Sequence, residues 1–461
     1  MGSEWKEVSL GDASISIQTG PFGSQLHKSD YVTEGIPSIM PVNISDNRIT
    51  TDGIARITEA DAQRLSKYLV ITGDIVYSRR GDVERRALVR ERENGWLCGT
   101  GCLRVRFDHN LVDSEYASFQ LGSPFAREWI VRHAVGATMP NLNTSILSAL
   151  PFILPPLPEQ KAIAHILGSL DDKIELNRRM NATLEGMAQA LFQSWFVDFD
   201  PVLDNALAAG NPIPDELADR AAVRRQALAN GTANREAAQP FPAAFQFTEE
   251  QGWIPKGWEA IPLNQAIKIN PPVKLPKDTV ALYADMKALP TEGFSIKGVI
   301  EKAYKGGTKF QNDDVLLARI TPCLENGKTG IVDFLSSPTE VGFGSTEFIV
   351  MRGKGELKLP FVACLAREEN FRLHCIQSMV GSSGRQRVQN ACFDSFHIAR
   401  PSDLPVLKLF SEMTLPMFQR AREQARESQT LTNIRDSLLP KLISGELRIG
   451  DAEILAEDAL V

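Results

Sequence analysis

The chain contains one sequence pattern twice, and this duplication limits the possible folds more than any other feature. The first copy begins at residue 5 and the second at residue 258. The matching strings are WKEVSL and WEAIPL, GDIVYSR and DDVLLAR, GTGCLRVR and GSTEFIVMR, and RHAVG and QSMVG. Two similar halves of one chain can present two similar surfaces about an approximate two-fold axis, and duplex DNA is a target of matching symmetry. The duplication therefore predicts a two-part DNA reader.

The composition is that of a folded protein and excludes several other classes. A length of 461 residues predicts about three domains, and 43% hydrophobic with 23% charged residues argues against global disorder. No apolar run approaches the roughly 20 residues that a membrane span needs, and the first residues lack the apolar segment of a signal peptide. We therefore expect a cytoplasmic protein that does not associate with a membrane.

The net charge and the cysteine content exclude further classes of protein. The net charge of −7 argues against a uniformly basic coat for DNA. It remains compatible with a protein that concentrates its cations in one groove, because nucleic acid responds to the local field. The six cysteines show neither a Cys-x-x-Cys pair nor a histidine at zinc spacing, so we expect reduced thiols and no metal site.

The first half of the chain predicts an α+β domain followed by a long helix. Residues 1–150 alternate short β-branched runs with Gly, Asn and Asp turns, and include a helix candidate at 114–134. Four prolines between residues 151 and 158 end this domain, and Pro158 fits the first turn of a helix. No further proline occurs before Pro201, so the segment 151–200 predicts a spacer helix, and its roughly 40 residues after Pro158 would span about 60 Å at 1.5 Å per residue.

The segment 151–200 also carries a heptad seam, because its apolar residues recur at alternating steps of four and three. The seam residues are Ile163, Leu167, Leu170, Ile174, Asn177, Asn181, Leu184, Ala188, Leu191 and Trp195. Asn177 and Asn181 interrupt the apolar series, and a buried asparagine fixes the register and the partner of a helix. The seam therefore predicts a specific partner helix.

The second half repeats this order after a linker. Residues 201–250 are rich in Ala, Asn, Pro and Asp and indicate a linker with a short exposed helix at 215–229. A second α+β domain is expected at 251–402, and a second long helix with a C-terminal tail at 403–461. Pro416 is expected to kink or delay this helix. Its seam residues are Leu431, Leu438 and Leu442.

The order of globule, helix, globule and helix predicts how the elements pack. Two long helices that are separated by a globular domain can pack against each other as an antiparallel coiled coil. Such a pair would hold the two α+β domains apart and would give the molecule approximate two-fold symmetry.

Several strings resemble the specificity subunits of type I restriction-modification systems, and the likeness covers essentially the whole chain. The most specific strings are ATMPNLN at residues 137–143 and LPPLPEQKAIA at residues 154–164. LFQSWFVDFDP at residues 191–201, GWIPKGW at 252–258 and SLLPKLISG at 437–445 are similar to strings of the same family. The second copy departs from this pattern because it lacks the PPLPEQ string, which leaves the start of the second helix open.

The resemblance implies that the domains at 1–150 and 251–402 are target recognition domains, which read the two halves of a split, asymmetric sequence of double-stranded DNA. The helices would set the gap between the half-sites and bind two modification subunits, and restriction subunits would complete a nuclease. The chain itself would be a non-catalytic subunit without a cofactor. The modification subunit is expected to methylate adenine N6 with S-adenosylmethionine, and the restriction subunit to use ATP and magnesium.

A Gly-rich loop at residues 19–28, TGPFGSQLHK, is the first candidate for DNA contact. Its backbone amides, Ser24 and Lys28 could hold a phosphate, and Gln25 could read an adenine edge. An ordinary surface turn explains the loop equally well.

An arginine cluster after the strand predicted at 74–77 is the second candidate. Guanidinium groups suit guanine edges and phosphates, although Asp82 and Glu84 could pair with them in a solvated charge cluster. The members of the cluster are Arg79, Arg80, Arg85 and Arg86. Asn141 and Asn143 follow in the same copy, and helix capping or turn formation is an equally good reading of both.

Three loops of the second copy provide the remaining candidates, since they correspond to the same regions or are rich in Gly and polar residues. The candidates are Tyr304, Lys305, Lys309, Arg319, Thr321, Asn326, Lys328, Ser383, Arg385 and Arg387.

Catalysis by this chain is not expected. The string NPPV at residues 270–273 is close to the motif of adenine-N6 methyltransferases, but Val273 stands where that motif has an aromatic residue that stacks on the flipped base. A coiled-coil scaffold whose globular domains bind proteins is the alternative from another functional class.

Overall fold

The computed structural model describes residues 5–45, 47–136, 138–382, 384–402 and 404–460. These residues form two compact units. Unit 1 comprises Met1–Glu175 and Ser428–Val461, and unit 2 comprises Leu176–Glu427. Each unit mixes helices and strands, as the sequence predicts. Within the described ranges, no helix combines the length and the apolar character that crossing a bilayer requires.

The elements of unit 1 begin with short strands that alternate with turns. The strands are β1 (Lys6–Ser9), β2 (Ser14–Thr19), β3 (Tyr31–Val32), β4 (Ile36–Ile39), β5 (Ile44–Ser45), β6 (Arg48–Ile49), β7 (Ala55–Ile57), β8 (Ile75–Ser78), β9 (Arg86–Leu88), β10 (Leu97–Cys98), β11 (Cys102–Phe107) and β12 (Pro151–Leu154). The helices are α1 (Leu10–Ala13), α2 (Glu59–Arg64), α3 (Ser114–Leu121), α4 (Pro124–His133), α5 (Thr144–Ser148) and α6 (Leu157–Phe192). A π-helical turn, Gln193–Val197, extends α6, which belongs to unit 2 from Leu176 onward.

The elements of the second half follow the same plan. The strands are β13 (Phe245–Thr248), β14 (Gly252–Pro255), β15 (Glu259–Pro262), β16 (Lys268–Ile269), β17 (Val280–Ala284), β18 (Ile300–Ala303), β19 (Thr308–Phe310), β20 (Val315–Ala318), β21 (Thr329–Ile331), β22 (Gly342–Gly344), β23 (Phe348–Arg352) and β24 (His397–Arg400). The helices are α7 (Asp200–Ala209), α8 (Ala218–Ala229), α9 (Arg235–Ala238), α10 (Leu263–Ala266), α11 (Leu359–Arg367), α12 (Glu369–Gln377), α13 (Cys392–Ser395), α14 (Leu404–Ile443) and α15 (Ile449–Leu460).

The two units share the topology of one four-stranded sheet. Unit 1 has a four-stranded sheet in the order β2-β11-β8-β9, and unit 2 has the corresponding order β16-β23-β20-β21. Both units contain a second four-stranded sheet with one parallel pair, formed by β4 and β10 in unit 1 and by β17 and β22 in unit 2. The first strand of each domain pairs with its last, β1 with β12 and β15 with β24, so each domain closes on itself.

A buried ion pair recurs at the same place in both units. Asp74 precedes β8 and accepts two hydrogen bonds from Arg106 at 2.8 and 2.7 Å, while Asp314 precedes β20 and accepts two from Arg352 at 2.5 and 2.8 Å. Both carboxylates are at most 1% exposed. This repeated contact establishes the duplication at the level of side chains, and it fixes the strand that carries the arginine loops described below.

The long helices contribute to the core of each unit. In unit 1, Leu167 of α6 and Leu438 of α14 belong to one apolar cluster. In unit 2, Asn177 is 1% exposed and donates a hydrogen bond of 2.9 Å to Glu427. The buried residues of the predicted seams are Ile163, Leu167, Leu170, Asn177, Ala188, Trp195, Leu431, Leu438 and Leu442, and the half-buried ones are Ile174, Asn181, Leu184 and Leu191.

The structure differs from the sequence-based expectation in the helices α3 and α4. One helix was expected at 114–134, but the chain breaks at Gly122, because the Ser123 hydroxyl caps α4 and Pro124 occupies its first turn. The second long helix starts at Leu404 and runs through Pro416, so Pro416 does not delay it.

The segment between the domains is more than a linker with one exposed helix. It contains α7, α8 and α9, and Arg220 and Arg224 of α8 form bidentate bonds with Asp200 and Asp204 of α7. Its apolar residues, among them Phe241, are buried in the core of unit 2. The expectation was wrong here because a segment poor in large apolar residues folds against a core that is supplied by its neighbours.

Candidate nucleic-acid interface

Arg79 is the best-anchored candidate of unit 1. It directly follows β8, its backbone N–H donates to the Gly101 carbonyl at 2.8 Å, and its carbonyl accepts from the Leu142 N–H at 2.9 Å. The side chain is half-buried, and its guanidinium carbon lies 5.9 Å from the centre of the Phe22 ring. The Nε atom of Arg79 is buried and has no hydrogen-bond partner among the described residues. The strand end thus holds one guanidinium in a fixed place.

The Gly-rich loop approaches Arg79 through Phe22 and is internally braced. The side-chain oxygen of Gln25 accepts from the Tyr68 hydroxyl at 2.9 Å and from the Phe22 N–H at 3.3 Å. Gln25 therefore already uses the oxygen that its predicted contact with adenine would need. Ser24 and Lys28 are exposed and remain available for phosphate.

The other arginines of the first cluster divide into two kinds. Arg80 and Arg85 are exposed, and Arg85 lies 2.5 Å from the Asp82 carboxylate in a partly solvated pair. Arg86 is 7% exposed and donates to the Ser118 carbonyl at 2.8 Å. The structure therefore contradicts Arg86 as a DNA contact, since its position in β9 directs the side chain into unit 1.

Asn141 and Asn143 also have separate roles. Asn141 forms backbone bridges with Arg80 and with Val135, which ties its loop to the arginine segment. Asn143 is exposed and caps α5, because its side-chain oxygen accepts from the Ile146 N–H at 2.8 Å. The structure therefore supports helix capping as the role of Asn143, whereas Asn141 stays a candidate for DNA contact.

Unit 2 repeats the arrangement around Arg79 at Arg319. The Arg319 N–H donates to the Glu347 carbonyl at 3.0 Å, and the Arg319 carbonyl accepts from the Val388 N–H at 2.9 Å. Its guanidinium donates to the Val388 carbonyl, and its buried Nε is unpartnered in the part of the chain that the structure describes. Arg387 forms backbone bridges with Ile320 and Val380, as Asn141 does with Arg80 and Val135.

Arg387 differs from Asn141 in its side-chain contacts. Its guanidinium donates to both oxygens of Glu347, at 2.7 and 2.9 Å, and this carboxylate raises the pKa of Arg387 above its ordinary value. Arg385 is exposed two residues earlier. Ser383 lies outside the described residues.

Two of the unit 2 candidates have structural roles instead. Thr321 is 8% exposed, and its hydroxyl accepts from the Gln386 N–H at 3.1 Å. Lys328 donates from Nζ to the Met286 carbonyl at 2.7 Å. Burial argues against Thr321 as a DNA contact, and the bond to Met286 draws the Lys328 ammonium group toward the protein. Asn326 is exposed and stays a candidate.

Tyr304 and Lys309 belong to a cluster of aromatic rings and lysines on one sheet. The Tyr304 and Tyr283 rings each lie 5.1 Å from the Phe343 ring. The Nζ atom of Lys309 lies 5.8 Å from the centre of the Tyr304 ring, and that of Lys302 lies 4.5 Å from the Tyr283 ring. Rings with adjacent cations suit stacking and phosphate contact together. Lys305, beside this cluster in the chain, is exposed.

Comparison with known proteins finds similarity to one family. The model of the type I restriction modification DNA specificity domain matches residues 2–186. The type I restriction enzyme HindI specificity subunit of Haemophilus influenzae is 25% identical, over 96% of this chain and 100% of the relative. The MjaIX specificity subunit of Methanocaldococcus jannaschii is 24% identical, over 91% of this chain and 88% of the relative. The chain is therefore similar to the specificity subunits of type I restriction-modification systems over nearly its whole length.

A solved structure has a similar fold. The crystal structure of the type I restriction-modification system S subunit from M. genitalium aligns with a TM-score of 0.53 and 15% identity. The alignment covers 95% of this chain and 96% of that chain.

Sequence reasoning about this chain missed Phe22, Tyr283, Lys302 and Phe343. The signal for Phe22 was an aromatic residue between Pro21 and a glycine, which is an unusual place for an apolar side chain in a polar loop. The three residues of the sheet cluster gave no local signal, because strands that are distant in sequence bring them together.

Each unit also contains an apolar groove at an equivalent place. Both grooves lie beside the N-cap of a helix, Ser123 of α4 in unit 1 and Glu368 of α12 in unit 2, and their volumes are about 310 and 340 Å³. The unit 1 groove is lined by residues that include Leu121, Phe125, Ile153, Pro440 and Ile443. The unit 2 groove is lined by residues that include Phe192, Phe196, Leu365, Asn370 and Ala399.

Proposed function

We propose that this chain is a specificity subunit that reads a bipartite, asymmetric sequence in double-stranded DNA, with residues 1–150 reading one half-site and residues 251–402 the other. The observation that carries the proposal is that the backbone hydrogen bonds around Arg79 in unit 1 recur around Arg319 in unit 2; we call each set the arginine framework of its unit. The same backbone hydrogen bonds position both arginines, but the side chains at neighbouring equivalent positions differ, Asn141 in one unit and Arg387 in the other. One scaffold with two sets of side chains suits two different half-sites.

The proposed contacts are the exposed or half-buried polar residues around these two frameworks. An arginine that is held near a base edge can donate twice to guanine, whereas exposed lysines and arginines neutralise phosphates. In unit 1 the proposed contacts are Ser24, Lys28, Arg79, Arg80, Arg85 and Asn141. In unit 2 they are Tyr304, Lys305, Lys309, Arg319, Asn326, Arg385 and Arg387.

The long helices α6 and α14 are proposed to pack as an antiparallel coiled coil that sets the gap between the half-sites. Contacts inside each unit support this arrangement. In unit 1, Asp171 of α6 pairs with Arg435 of α14. In unit 2, Asn177 pairs with Glu427, further along α6 and further back along α14. Residue numbers that rise on one helix while they fall on the other are the signature of antiparallel packing.

Two modification subunits are the proposed protein partners, together with restriction subunits. The grooves beside Ser123 and Glu368 support a partner that is present in two copies, because they lie at equivalent places in the two units. The specificity subunit is proposed to be non-catalytic and cytoplasmic and to hold no cofactor of its own. S-adenosylmethionine is then the cofactor of the modification subunits, and ATP and magnesium serve the restriction subunits.

The test is a map of N6-methyladenine. The chain is co-expressed with its modification subunit in a host that lacks adenine methylation, and methylated sites are located across the genome. A single split, asymmetric motif is expected. Absence of new methylation, when the same modification subunit is active with another specificity subunit, would favour a protein-binding scaffold instead.

A domain exchange tests the assignment of half-sites. Replacing residues 1–150 with the corresponding domain of another specificity subunit should change one half of the motif and leave the other half and the spacing unchanged. A change in both halves, or in neither, would contradict the model of two independent readers.

A further inference from the structure

We propose that Phe22 is an apolar wedge that stacks against the bases of the half-site read by unit 1. This inference rests on the proposed function and adds a residue with a different chemistry to the polar contacts. The Phe22 side chain is 57% exposed. Side chains of this kind enter the minor groove of DNA and partly unstack a base step, which kinks the duplex toward the major groove.

The loop that carries Phe22 is rigid for a surface loop. The Gly20 N–H donates to the Cys102 carbonyl at 2.9 Å, and the Thr100 hydroxyl donates to the Pro21 carbonyl at 3.0 Å. Gly20 packs so closely on the backbone that a Cβ atom there would lie 2.1 Å from the Gly99 carbonyl oxygen. The exposure of Phe22 is therefore set by the backbone and is not the result of a loose loop.

Arg79 places the ring among the proposed DNA contacts. Its guanidinium lies over the Phe22 ring, so a cation and an aromatic face are presented together. Two further apolar side chains, Val135 and Met139, are 64% and 62% exposed on the loop that Asn141 ties to the arginine segment. Exposed apolar groups that surround arginines suit a surface that covers base edges and sugars as well as phosphates.

The wedge distinguishes the two half-sites. In unit 2, the chain that follows β16 has no aromatic residue between positions 270 and 279. The equivalent loop therefore offers no ring for stacking, and deformation of the DNA is expected at the half-site of unit 1.

The experiment measures DNA affinity of the specificity subunit in complex with its modification subunits, once the motif is known. Phe22→Ala should weaken binding to the complete site by roughly tenfold, the loss that follows removal of one aromatic ring from a base. Phe22→Trp should bind like the wild type. Ile15→Ala is the matched control, because Ile15 is 65% exposed near the start of β2 in the same unit, and it should leave affinity unchanged.

A series of mismatched duplexes identifies the wedge. A mismatch unstacks its base pair before the protein binds, so Phe22 has less unstacking left to do at that step. The ratio of wild-type to Phe22→Ala affinity should therefore fall toward one when the mismatch lies at one particular position of the half-site of unit 1. Mismatches in the other half-site should leave the ratio unchanged. A tenfold ratio that persists at every position would overturn the wedge, as would wild-type affinity of Phe22→Ala. A wild-type complex that recognises no split motif would instead refute the proposed function, so the two failures are distinguishable.

Discussion

Glu185 of α6 should make the stability of unit 2 depend on pH. Its carboxyl group borders a small cavity of about 40 Å³ whose lining includes Asn181 and Phe294. Burial raises the pKa of Glu185 from 4.5 to about 7, although Arg367 and a backbone hydrogen bond at Phe294 act in the opposite direction. The folded chain therefore holds a proton at this site that the unfolded chain has already released.

The sign and the size of the effect follow from that difference. Between pH 4.5 and about 7 the folded state binds more protons than the unfolded state, so the free energy of unfolding falls as the pH rises through this window. Each tenfold difference in proton affinity is worth about 1.4 kcal/mol, so the buried charge should destabilise unit 2 by about 3 kcal/mol at pH 8. The full stability is present below pH 4.5, where both states are protonated.

Thermal unfolding of wild type and Glu185→Gln between pH 5 and pH 8 measures this effect. Glutamine has the same shape without the charge, so the variant should melt roughly 6–12 °C higher than the wild type at pH 8 and nearly level with it at pH 5. Glu412→Gln, at an exposed position of α14 in the same unit, is the matched control and should follow the wild type. Parallel profiles for wild type and Glu185→Gln would refute the reasoning.

Four further substitutions separate structural from DNA-contacting roles. Arg86→Ala should lower the free energy of unfolding by about 1–3 kcal/mol through loss of a buried hydrogen bond, whereas Arg85→Ala should leave melting unchanged and weaken the salt-dependent part of DNA binding. Asp314→Ala leaves Arg352 without its carboxylate partner and should lower the free energy of unfolding, measured in urea, by about 3 kcal/mol. A loss below about 1 kcal/mol would contradict the importance of that ion pair. Asn143→Ala should lower stability by about 1 kcal/mol without changing the methylation motif, and an altered half-site would instead assign Asn143 to DNA.

The sequence predicted the features that depend on local pattern and on repetition. The absence of proline after Pro158 and the heptad spacing predicted α6, which the structure confirms over Leu157–Phe192. The duplicated strings predicted the equivalent strands, and the two arginines that end them, Arg79 and Arg319, occupy the same backbone framework. These predictions succeed because strand ends and helix starts are encoded by a few adjacent residues.

The direction of each polar side chain could not be predicted from the same strings. Arg85 and Arg86 are neighbours in the sequence, yet one is exposed and the other is buried, because Arg85 lies in the turn before β9 whereas Arg86 is the first residue of this fully buried strand. Lys328 was read as a DNA contact, but its ammonium group donates to the Met286 carbonyl, from a residue 42 positions away. Such partners depend on tertiary packing and leave no mark on the local sequence.

The divergence of the two copies explains how one fold can read two different sequences. The backbone bonds around Arg79 and Arg319 are the same, so the duplicated domain keeps its geometry while neighbouring side chains vary. An asparagine at 141 suits adenine, whereas an arginine at 387 suits guanine. In unit 2, Glu347 already accepts from Nε and one terminal nitrogen of Arg387, so this carboxylate limits how a base can engage the guanidinium. Glu347→Ala should therefore free Arg387 and relax discrimination at one position of the half-site of unit 2. An unchanged methylation motif in that variant would show that Arg387 serves the fold alone.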